Sequence, residues 1–74
     1  MTTPSEVIAG WIVDKTYDGF TIIVTLSSGQ RYSLKSASLG GKRDNDAGVL
    51  YGEMLDDREI LIDIQAITSA EERG

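Results

Sequence analysis

The side chains that most often carry catalysis are missing from this 74-residue chain, which has no His and no Cys. Thiol nucleophiles, Cys/His zinc sites, disulfides and every general base built on an imidazole are excluded. Carboxylates remain, and two adjacent pairs stand out, Asp56-Asp57 and Glu71-Glu72. Neighbours in a strand or turn point apart, and both pairs fall in polar segments where nothing would split their pKa values. Asp63 sits among Ile60, Leu61, Ile62 and Ile64, and alternation sets it with Leu61 on the face opposite the isoleucines. It reads as a surface or hydrogen-bonded strand carboxylate. No catalytic residue is assigned, and the chain is expected not to be an enzyme.

Two ligand motifs fail on inspection. Asp44-Asn45-Asp46-Ala47-Gly48 has the start of a calcium loop. An EF-hand, however, needs an oxygen ligand, Gly and Glu where this chain has Gly48, Val49 and Leu55. Gly40-Gly41-Lys42-Arg43 lacks the Ser or Thr that follows a P-loop lysine, and the first required glycine is Ser36. No metal and no cofactor is expected. Trp11, Tyr17, Phe20, Tyr32 and Tyr51 include candidates for base stacking, with Lys35, Lys42 and Arg43 nearby. A net charge of −5 opposes phosphate approach, and a chain with five aromatics is expected to use most of them as core. Direct nucleic-acid binding is therefore not expected.

The elements that must position these residues read as short strands. Phe20, Ile22, Val24 and Leu26 alternate with Thr21, Ile23 and Thr25, a period of two that predicts a strand. Asp18-Gly19 before it predicts a tight hairpin with a partner strand over Trp11–Tyr17. Ser27-Ser28-Gly29-Gln30 turns the chain into a strand over Arg31–Lys35, with Tyr32 and Leu34 on its inner side. Residues 36–48 lose periodicity and read as a long flexible loop. Val49–Leu55 follows, with Val49, Tyr51 and Leu55 on one face, then a turn at Asp56-Asp57-Arg58 and a strand over Glu59–Ile64. Residues 69–74 are polar and are expected to fray. At the N-terminus, Thr3-Pro4-Ser5-Glu6 matches a helix-capping pattern, so a short helix over 4–9 competes with an early strand start at Val7. Five short strands predict an all-β fold, a five-stranded antiparallel small barrel of the SH3-like or Sm-like kind, with residues 1–74 as one domain.

Charge is unevenly placed. Residues 1–43 carry a net +2 and residues 44–74 a net −7. With the last two strands as neighbours, Glu53, Asp56, Asp57, Glu59 and Asp63 would form a contiguous acidic, partner-binding surface. A plain solubilising face is the competing account. Lys42, Arg43, Asp44 and Asp46 are candidate loop contacts, and Trp11 and Tyr51 candidate interface aromatics. No apolar run approaches the ~20 residues of a spanning helix. No basic-then-apolar start suggests a signal peptide, so a cytoplasmic location is expected.

The order Thr21-Ile22-Ile23-Val24-Thr25-Leu26-Ser27-Ser28-Gly29, then Tyr32-Ser33-Leu34-Lys35, then Ile60-Leu61-Ile62-Asp63-Ile64 resembles Sm-like and SH3-like barrels. Within that group the chain is most similar to the Rof-like inhibitors of transcription terminator Rho. Those are small acidic proteins with a Leu-x-x-Gly turn, a segment like Lys35-Ser36-Ala37-Ser38 and a late strand ending near Ile67-Thr68-Ser69. The Sm RNA-binding signature, Asp followed by Met-Asn, is missing. The acidic C-terminal half and the absence of a catalytic site predict a non-enzymatic inhibitor or regulator that occupies a basic surface of a partner protein, and Rho-inhibitor-like action is the version the resemblance implies. Phage-type nucleic-acid mimics such as anti-CRISPR proteins are another version of that activity. The alternatives are a structural or homo-oligomer-forming module and an RNA-binding Sm-like protein.

Overall fold

Thr3 opens the first element of the computed structural model, which describes residues 3–40 and 48–73. Its extended backbone lets the side chain accept the Glu6 N–H at 3.3 Å, and Pro4 follows where a helix has no N–H to lose. Helix α1 then runs over Pro4–Tyr17, with Ala9, Ile12 and Thr16 buried at a spacing of three and four. It passes straight through Gly10. The buried Thr16 hydroxyl is satisfied within the helix, donating to the Ile12 and Val13 carbonyls at 2.9 and 3.0 Å.

The hairpin expected around Asp18-Gly19 is overturned here. Gly19 adopts φ +95, its N–H bonds the Thr16 carbonyl, and the Phe20 N–H bonds the Lys15 carbonyl. That pair of bonds is a Schellman cap. The same left-handed glycine that closes a hairpin also ends a helix, so the segment 11–17 is helix and not strand. Of the two readings of the N-terminus, the helix over 4–9 is the one that forms, eight residues longer, and not a strand start at Val7.

Five strands follow: β1 (Thr21–Leu26), β2 (Arg31–Leu39), β3 (Val49–Met54), β4 (Glu59–Asp63) and β5 (Ile67–Arg73), with a 3-10 turn over Ile64–Ala66 before the last. All neighbours are antiparallel, in the order β4-β3-β2-β1-β5. The expected all-β architecture with a short N-terminal helix is present. The sheet is not closed, since β4 and β5 are its two ends. Of the tail expected to fray over 69–74, Ser69–Arg73 instead pair with β1 from Thr25 back to Thr21, and Gly74 lies outside the described residues. The expected loop over 36–48 begins later, since Ser36–Leu39 continue β2 and pair with β3. Residues 41–47 of that loop lie outside the described residues.

Ile22, Val24, Leu34, Leu50, Ile62, Ile64 and Ile67 line the inner face and bury themselves against Ala9 and Ile12. Strand β3 presents Leu50 and Gly52 inward, not Val49, Tyr51 and Leu55 as its apolar pattern suggested. Gly52 is required there. A Cβ on it would stand 2.9 Å from Leu34 Cδ2 and 3.2 Å from Ile60 Cγ2. The core is aliphatic: no aromatic belongs to the fully buried set, a second correction to the sequence expectation.

Candidate functional site

The β3–β4 hairpin brings four of the five predicted acidic residues together. In its register Glu53 stands directly opposite Glu59, Tyr51 opposite Leu61, and Val49 opposite Asp63. Side chains alternate, so these six share the outer face, away from α1. Two of the face's hydrophobics are exposed, Tyr51 at 38% and Leu61 at 65%. Asp56 and Asp57 occupy the turn that joins the strands, with Asp57 at φ +69. The Asp57 N–H bonds the Met54 carbonyl and the Met54 N–H bonds the Arg58 carbonyl. The β1–β2 turn is closed by the equivalent bonds, with Gly29 at the left-handed position.

A β-bulge supplies the counter-charge. The β2–β3 register shifts by one between Leu34 and Ser36. Lys35, next to the inward Leu34, faces outward, and the bulge turns Ser36 outward as well, which leaves Lys35 beside Glu53 on the outer face. Its ammonium lies 3.3 Å from Glu53 Oε1 and pairs more closely with Asp57 Oδ1. The hydrogen bond that Lys35 donates to Asp57 is the main cause holding the Lys35 pKa above its ordinary value, with Glu53 adding to it. Arg58 Nε donates to Asp56 Oδ2 at 2.7 Å, and its backbone N–H to Oδ1 at 3.2 Å. Those bonds hold the Asp56 carboxyl below its ordinary value. Lys35 and Arg58 thus offset part of the acidic cluster. Glu59 has no ion-pair partner among the described residues.

The fifth acid sits apart. Asp63 ends β4 four residues from Glu59, roughly 13 Å along an extended strand. There it caps the 3-10 turn, accepting the Gln65 N–H at 3.0 Å. Glu71 and Glu72 lie on β5 at the opposite end of the sheet, and Glu71 pairs with Arg31. The described acids of the C-terminal half are therefore divided between two edges, and only the β3–β4 share makes a cluster. Lys42, Arg43, Asp44 and Asp46 lie outside the described residues. Trp11 and Tyr51 do not share a surface. Trp11 is on α1, where the Lys15 ammonium stands 5.9 Å from its ring and 5.4 Å from that of Phe20.

An open groove of about 470 Å³ crosses the outer face, bordered by Ser36, Ser38, Tyr51, Glu53, Glu59 and Leu61. The sequence reading missed the two serines and Leu61. The serines' signal was the alternation of Ser36, Ala37 and Ser38, hidden because the segment looked like loop, while Leu61 was set on the outward face with Asp63 but given no role. Among the described residues no group of three potential metal ligands occurs, and no helix is long and apolar enough to cross a membrane. No protein-family model, curated protein or solved structure matches the chain.

Proposed function

We propose that this chain is a non-enzymatic binding module that captures a basic surface of a partner protein with the outer face of β3 and β4. The observation that carries the reading is the Glu53–Glu59 pair. Like charges directly opposite in a sheet destabilise it, and of the two only Glu53 is paired, with a Lys35 that it shares with Asp57. The fold gains nothing from Glu59 at that position, whereas a basic partner would neutralise it. Tyr51 and Leu61 beside the pair add apolar surface that a partner would cover. The resemblance to Rof-like proteins supports inhibition of Rho as the specific form, with the acidic face occupying a site that otherwise holds RNA.

Competition tests this. Rho carrying a labelled RNA is titrated with the wild-type chain and with Glu59→Lys. The substitution places Lys opposite Glu53, so the variant should melt no lower than wild type while displacing RNA about tenfold less well. RNA left on Rho by the wild-type chain defeats the Rho form. Equal displacement by a folded Glu59→Lys protein defeats the acidic face.

A further inference from the structure

We infer that β4 is a strand-addition site, and that its occupant is an extended segment of the partner protein with two basic residues flanking a short apolar run. This rests on the reading of the β3–β4 face as partner-binding and specifies how the partner is held.

The open side of β4 is the first observation. Bonds from the Met54 N–H to the Arg58 carbonyl and from the Ile64 N–H to the Gly48 carbonyl bracket the β3–β4 ladder. Hydrogen-bonded and non-bonded pairs alternate in an antiparallel ladder. Ile60 and Ile62 therefore direct their backbone groups at β3, while Glu59, Leu61 and Asp63 direct theirs away from it. No described strand pairs with that side. Three N–H and three C=O groups thus form a template for another strand.

The second observation is how the two ends of the sheet differ. Proteins blunt exposed edges with bulges, Lys, Pro or dense charge. Strand β5 has such devices: its register breaks near Ile67, and Glu71, Glu72 and Arg73 crowd its end. Strand β4 has an unbroken register, and its two charges, Glu59 and Asp63, stand at its ends and leave an exposed Leu61 at its centre.

Charge then selects the occupant. Along the outer face β4 reads Glu59, Leu61, Asp63, and on the inner side Ile60 and Ile62. An added strand places residues directly opposite these, so its complement is basic, apolar, apolar, apolar, basic. A second copy of this chain fits poorly. Its β5 edge would set Glu71 and Glu72 against a strand that already ends in Glu59 and Asp63, and its β4 edge, antiparallel, would set Asp63 against Glu59.

The test uses the full chain and two capped synthetic peptides of one composition, Lys-Val-Leu-Val-Lys and Lys-Lys-Val-Val-Leu, read by residue-resolved amide exchange. The first peptide should slow exchange at Glu59, Leu61 and Asp63, with Ile60 and Ile62 unchanged because they already bond β3. The second should slow none of them. Binding without that alternating protection, or equal protection by both peptides, overturns strand addition. The same protection appearing without peptide as the protein is concentrated, together with a doubled mass, overturns it in favour of self-pairing. Leu61→Pro, which removes an outward N–H and leaves the β3 ladder bonds in place, should weaken capture of the basic partner about tenfold. Undiminished capture by a folded Leu61→Pro protein, with capture lost in Glu59→Lys, would defeat strand addition and leave the acidic face standing.

Discussion

At Gly52 one added carbon would meet three others. Leu34 Cδ2 and Cδ1 lie 2.9 and 3.0 Å from where a Cβ would stand, and Ile60 Cγ2 lies at 3.2 Å. Gly52→Ala should lower stability by about 1–3 kcal/mol, read as a lower urea midpoint at unchanged slope. The turn residues make a prediction about pH. Hydrogen bonds from Arg58 hold Asp56 below its ordinary 3.8, so its contribution is complete above pH 3.8 and is lost as pH falls through the lowered value. Lys35 is raised above 10.5, chiefly by Asp57, so its contribution is complete below pH 10.5 and is lost as pH rises through the raised value. Between those limits these pairs should add no pH dependence to stability. An NMR titration should place the Asp56 midpoint below 3.8. The sequence already read Asp63 as a surface or hydrogen-bonded strand carboxylate, because alternation within one strand is a local property. It did not show Lys35 between Glu53 and Asp57, because that contact depends on a bulge between strands.

The ambiguity at the element scale has one source. Asp18-Gly19 supplies a left-handed residue, and helix caps and tight hairpins both use one. What separates them is the preceding spacing, Ala9, Ile12 and Thr16, which only helical geometry buries on one side. The β-branched and aromatic residues of 11–17 favour strand locally, and packing against the sheet outweighs that preference. Gly10 lies mid-helix with nothing within 4 Å of an added Cβ. Gly10→Ala should therefore stabilise α1 by about 1 kcal/mol. Melting should rise by about 4–8 °C, measured by circular dichroism. A glycine serving a helix stop at that position, as the sequence allowed, would instead give a loss.

For the whole molecule the decisive strand is the last. Truncation after Thr68 would be harmless if residues 69–74 frayed. Here it removes the pairing of Ser69–Arg73 with β1 and the half-buried Ala70. A chain this small has only about 4–11 kcal/mol to lose. The truncated protein should show no cooperative thermal transition. Its polar sequence gave no sign of a strand because β5 buries little beyond Ile67 and Ala70 and is held mainly by backbone bonds to β1. The sequence by itself determined the absence of imidazole and thiol chemistry, the β1–β2 and β3–β4 hairpins, and the inward face of β4. Each follows from residue type, a turn residue or an alternation spanning a few positions. Tertiary structure alone decided that 11–17 is helix, that β5 exists, that the acids of the β3–β4 hairpin and of β5 lie at opposite sheet edges, and that Glu59 faces Glu53. Those outcomes depend on which distant segments bury one another and in what register, and no local spacing encodes either.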